Sequence, residues 1–196
     1  MTGALLQEVT ALARKIGGEL TWFADRMEGL PRSADAVPQS VPVLAGLPRR
    51  CTDTVPLTAP CTRAFLDAAA DLPWVQSYTA EDGFSRGYLE NYGFVNVVSP
   101  IGLFHSDDMR ISIGFWGEGL RYPLHSHAPE EWYVMLSGGC TLTSEGTGAR
   151  PVMAGNVTHH TPWQRHAADF DHGPLLALAF WRGDGLMNKS TIHEVR

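Results

Sequence analysis

The apolar positions of the chain fall into two regimes. Over residues 4–27, Leu5, Val9, Leu12 and Ile16 recur at steps of four, three and four, and Leu20, Phe23 and Met27 continue the stripe. That spacing belongs to a helix burying one face. Gly17-Gly18 interrupts it and predicts two helices or one bent helix. The polar face is not basic, so the stripe is expected to pack on the rest of the protein rather than on a membrane surface. Pro31, Pro38, Pro42 and Pro48 then punctuate an extended connector over the surface. A second helical patch covers residues 61–72 and is stopped by Pro73. Residues 74–92 set Trp74, Tyr78, Phe84, Tyr88 and Tyr92 among polar residues, which predicts a short helix and loops closing one end of the C-terminal half.

From Phe94 onward the pattern becomes β. Short apolar runs at 94–99, 102–106, 110–117, 131–138, 140–145, 149–153, 157–162, 166–170 and 175–181 are separated by Gly, Pro, Asp or Asn. Many short strands at close spacing predict a mainly β fold, a barrel or sandwich. Gly138-Gly139 and Glu145-Gly146-Thr147-Gly148 are predicted hairpin turns. No internal repeat is present, so one barrel is expected over residues 93–196, behind a helical N-terminal extension with a Pro-rich connector over residues 1–92.

Composition narrows the function classes. The 196 residues suit one domain with an extension, and a 44% hydrophobic fraction is ample for a core. The net charge is −6 and no Lys/Arg run exists, which argues against nucleic acid as a partner. Cys51, Cys61 and Cys140 are odd in number and lack Cys-x-x-Cys spacing, so they read as buried thiols rather than a disulfide or zinc framework. No basic leader and no run of membrane-spanning length is present, which predicts a cytoplasmic protein without a membrane partner.

The chemistry concentrates between Gly119 and Gly138. His125 and His127 share one face of an extended strand. If Ala128-Pro129-Glu130 preserves register, Glu131 and Tyr133 join them, while Trp132 and Val134 point the other way. An isolated His-x-His is ordinarily a surface or core pair. Two imidazoles converging with a carboxylate instead suit a divalent transition metal. A further ligand is expected from His166, which follows a turn and opens a strand. His159 or His160 could compete as that ligand, but these neighbours must face opposite ways, which favours His166 and leaves one of the two to line the cavity. His105, His172 and His193 lack matching spacing and receive no role. Tyr133 facing a divalent cation would have its phenolate stabilised, which makes it a candidate general base.

The spacing Gly119-x5-His125-x-His127-x3-Glu131-x6-Gly138 resembles the first sequence motif of the cupin superfamily without a gap. The segment from Gly155 to His166 resembles the second, with Pro162-Trp163-Gln164 in place of the family's Pro-x-Gly. The resemblance implies a cupin barrel (a double-stranded β-helix, or jelly roll). Tyr122, the run HSHAPEEWYVMLSG, the His166 segment, the Ala179-Phe180-Trp181 ending and the helical extension further resemble the bacterial cupin-type dimethylsulfoniopropionate (DMSP) lyases of the DddQ kind. That resemblance implies one divalent metal (zinc, iron or manganese) held by His127, Glu131 and His166, with His125 and Tyr133 as further or exchangeable ligands. It implies Tyr133 as the catalytic base, with Tyr122 and His125 also in the catalytic set. Substrate would be held by Tyr122, His125 and Trp181. The implied reaction is β-elimination of DMSP to dimethyl sulfide and acrylate. A homodimer is compatible with the resemblance, since cupins often pair barrels. The alternatives are an iron-dependent dioxygenase, which uses the same ligands with O₂, and a non-catalytic small-molecule-binding cupin. A sugar isomerase is disfavoured by the aromatic lining.

Overall fold

The structure, a computed structural model, describes residues 2–33 and 36–193. The N-terminal stripe forms two helices, α1 (Thr2–Ile16) and α2 (Leu20–Arg26). The turn between them is made by Gly17 and Gly18, both at positive φ (78° and 57°), where glycine carries no Cβ penalty. Leu5, Val9, Leu12, Leu20, Phe23 and Met27 are all buried, so the helical periodicity read from the sequence is the packing face. It packs on the sheet: the Phe23 ring meets Trp132 at 5.6 Å and Phe180 at 5.3 Å, both edge-on. The connector holds one short helix, α3 (Leu47–Arg50), and buries Val43 and Leu47 in the core, so it is more than a surface strap. The second helical patch forms α4 (Ala59–Ala68) followed by a 3-10 turn at Ala69–Asp71.

The remaining elements are β1 (Trp74–Val75), α5 (Arg86–Glu90), β2 (Tyr92–Ser99), β3 (Phe104–His105), β4 (Met109–Trp116), β5 (Arg121–Ser126), β6 (Glu130–Ser144), β7 (Gly148–Met153), β8 (Val157–His160), β9 (His166–Asp169), β10 (Leu175–Arg182) and β11 (Thr191–Ile192). These eleven strands form one curled sheet in the order β1-β2-β4-β10-β6-β9-β5-β11, with β3 on β2 and with β7 and β8 on β6. All pairs are antiparallel except β2 with β3. The fold is the expected mainly β barrel of the cupin type preceded by helices. Strand pairing already includes Trp74, Val75 and Tyr92, upstream of Phe94.

One predicted turn is corrected. Gly138-Gly139 does not end a strand; it lies inside β6, which runs unbroken for 15 residues. Its first half pairs with β8 and β10, its second with β7 and β9. The glycines serve the bend. Gly138 sits at φ 75°, and a Cβ there would lie 1.9 Å from the Pro174 carbonyl oxygen; one on Gly139 would lie 2.6 Å from that of Val152. Neighbouring backbones therefore occupy the space of two side chains, a local pattern that resembles a turn when the partner strands are unseen. The second predicted hairpin, at Glu145–Gly148, joins β6 to β7 as expected.

Candidate metal centre and substrate pocket

Register across the barrel collects the polar residues. Ala128-Pro129-Glu130 does preserve parity, so Glu131 and Tyr133 enter the interior while Trp132 stacks outside on His159. Glu131 pairs across β6–β8 with His160 and across β6–β10 with Trp181. His125 pairs across β5–β9 with His166. His125, His127, Glu131, His160 and His166 are all under 5% exposed. Their donor atoms form two overlapping triads, His125/His127/His166 and Glu131/His160/His166, each within 4.8 Å.

Hydrogen bonds fix the tautomers. His125, His127 and His166 each donate Nδ1–H to a backbone carbonyl two residues away, on Pro123, Pro129 and Gln164, at 2.8–2.9 Å. Their Nε2 lone pairs are thereby left free. His127 Nε2 lies 3.3 Å and His166 Nε2 3.2 Å from Glu131 Oε2, and the buried His166 Nε2 makes no hydrogen bond. Lone pairs of two imidazoles and a carboxylate facing one another at this distance repel unless a positive charge lies among them. A divalent transition metal fits that donor set. His160 differs. Its Nδ1–H donates to Glu131 Oε2 at 3.1 Å, and its Nε2 accepts from Ser144 Oγ at 3.1 Å, so both nitrogens are engaged.

The electrostatics agree. Burial would raise the Glu131 carboxyl, but the adjacent His127 and the hydrogen bond from His160 hold it well below the usual range. Burial would lower His127, yet the Glu131 charge raises it; burial and the neighbouring His166 push His125 well down. Tyr133 runs the other way. Burial and then the Glu131 charge push its phenol well above the ordinary value, so the protein alone opposes a phenolate and a cation is needed to offset it.

Tyr122 stacks on His125 with ring centroids 3.9 Å apart, and its hydroxyl shares a 2.7 Å hydrogen bond with that of Tyr78. Trp181 lies 4.2 Å from the His127 ring and donates Nε1–H to Glu131 Oε1 at 2.5 Å. A cavity of about 50 Å³ is lined by Tyr78, Tyr122, Glu131, Tyr133 and Trp181, and also by Tyr92, Arg110 and Lys189. Four contributors escape sequence reasoning: His160 as the inward member of its pair, Ser144, Tyr78 and Arg110. Tyr78 belongs to the aromatic stretch expected to close the barrel; Arg110 has no motif to flag it. In the second cupin motif, where Gln164 stands in place of the family's Gly, Trp163 adopts φ 63° and donates its backbone N–H to the His127 carbonyl at 2.8 Å, tying the turn before His166 to the centre. His193 caps Ser126 Oγ at 2.9 Å, His105 and His172 are exposed, and the three cysteines are free and buried.

Fold and centre together define a cupin with a buried histidine–carboxylate site opening on an aromatic pocket. The sequence profile of the dimethylsulfoniopropionate lyase family matches residues 20–177, and the chain belongs to that family. It is 29% identical over 121 residues to the dimethylsulfoniopropionate lyase DddQ of Ruegeria pomeroyi, an alignment spanning 62% of this chain and 60% of that relative. The crystal structure of DddQ from Ruegeria pomeroyi DSS-3 superposes with a TM-score of 0.88 at 26% identity, covering 100% of this chain and 97% of that one. A structure from a study of the DMSP lyases RdDddP and RnDddQII gives 0.83 at 27% identity, covering 99% and 100%. No described helix is long and apolar enough to cross a membrane.

Proposed function

We propose that this chain is a carbon–sulfur lyase that cleaves DMSP to dimethyl sulfide and acrylate. The observation that carries the reading is the fully buried Glu131, with the imidazoles of His127, His160 and His166 all within 3.3 Å of one oxygen and Tyr133 two positions along the same strand face. His127, Glu131 and His166 would hold one divalent metal, zinc, iron or manganese, with His125 and Tyr133 as further or exchangeable ligands. Bound there, such an ion supplies Lewis acidity to a substrate carboxylate and positive charge to a phenolate. Tyr133 Oη takes the proton from the carbon α to the carboxylate. The C–H electrons become the C=C bond, the C–S bond breaks, and its electron pair leaves on sulfur, so the sulfonium departs as a neutral sulfide. His125 and Tyr122, stacked together, form one wall for the substrate, and tyrosine faces suit a sulfonium through cation–π attraction. Trp181 holds Glu131 and closes the opposite side against His127.

The test is headspace detection of dimethyl sulfide under nitrogen, from protein loaded separately with Zn²⁺, Fe²⁺ or Mn²⁺. Metal-dependent, oxygen-independent release is expected. Tyr133→Phe should lose about two orders of magnitude or more in kcat while retaining metal, the scale of a lost general base. Near-wild-type turnover in that variant would remove Tyr133 from the base role, and oxygen uptake in place of sulfide release would turn the reading to a dioxygenase.

A further inference from the structure

Arg110, on β4, is a half-buried cation at the cavity. Its Nε donates to Asn96 Oδ1 at 2.9 Å and its Nη1 to the Leu186 carbonyl at 3.0 Å, both neutral acceptors. The guanidinium lies over the Trp181 ring at 4.9 Å and the Phe94 ring at 5.2 Å, and it lines the same cavity as Glu131, Tyr122 and Tyr133. Among the described residues no carboxylate comes within ion-pair distance of it, whereas Arg14, Arg86, Arg121 and Arg182 each meet an acidic partner. A largely desolvated cation without an anion is costly, and partial burial pulls the Arg110 guanidinium below its usual value. Two fixed acceptors and two ring faces lock the fork while leaving further N–H donors for the cavity.

We infer that Arg110 is the residue that binds the carboxylate of an anionic, carboxylate-bearing substrate in this pocket. The inference rests on the lyase reading of the same site and adds its orientation. The guanidinium repels a sulfonium, so the substrate lies with its carboxylate towards Arg110 and the Glu131 centre and its cationic end among the tyrosines. A planar fork matches a carboxylate through two parallel hydrogen bonds.

Binding without turnover separates this inference from the lyase reading. Propionate and its neutral isostere propionamide are titrated into metal-loaded protein by calorimetry, with metal content and melting temperature measured alongside. The wild type should bind propionate, and Arg110→Met should weaken that binding about thirtyfold or more while barely changing propionamide. Arg110→Lys, which keeps the charge without the fork, should fall between and serves as the test if the Met variant does not fold. A clamp that merely holds the segment at Leu186 would lower the melting temperature and weaken both ligands alike. That outcome, or unchanged propionate binding in a folded variant, overturns the assignment whether or not dimethyl sulfide is released.

Discussion

The smallest scale at which the centre can be tested is His160. Ser144 supplies the proton that its Nε2 accepts, which commits Nδ1–H to Glu131. Removing the imidazole leaves one oxygen of a fully buried carboxylate short of a donor. His160→Ala should therefore weaken metal binding by about 10- to 100-fold, the usual effect of losing an outer partner of a ligand, with Ser144→Ala in the same direction and smaller. Competition with a chromophoric chelator measures both. At this scale much of the site is legible in the sequence. The odd numbering of His125, His127, Glu131 and Tyr133 requires only strand geometry, and it holds because Ala128-Pro129-Glu130 keeps parity. His160 and Ser144 are not legible, because each meets the centre through a strand partner that no local spacing encodes. Nor is the resting state of Tyr133, whose phenol is governed by the barrel around it.

At the scale of elements, β6 decides the barrel, since both walls hydrogen-bond to it. The bend at Gly138-Gly139 depends on missing side chains. Gly138→Ala would force a Cβ into the Pro174 carbonyl at a positive φ. It should cost more than about 2 kcal/mol, read as a lower urea midpoint with unchanged slope, because the clash is with backbone and cannot be relieved by a rotamer. Glycine pairs look alike in a sequence whether they turn a chain or let two chains touch, which is why the local pattern here predicts a hairpin. The helices are easier. Their stripe of Leu5, Val9, Leu12, Leu20 and Phe23 is periodic whatever it packs against.

For the whole molecule, the helical extension and the barrel share one core. Phe23 wedges between Trp132 and Phe180, residues adjacent in sequence to Glu131 and Trp181. Phe23→Ala should destabilise the protein by about 3–5 kcal/mol in equilibrium urea unfolding, with loss of the helical and barrel signals in a single transition. Two separate transitions would mean that the extension melts alone. The family match from residue 20 onward includes α2, consistent with a helix that supports the wall carrying the centre.

The three Nδ1–H bonds to Pro123, Pro129 and Gln164 have an entropic consequence. Rings already fixed by their own backbone surrender little rotational freedom when an ion arrives, so the free energy of coordination is not spent on ordering the site. A centre assembled in advance accepts whichever fitting ion reaches it first. For such a protein the metal found in the purified enzyme records the history of supply as much as the preference of the ligands.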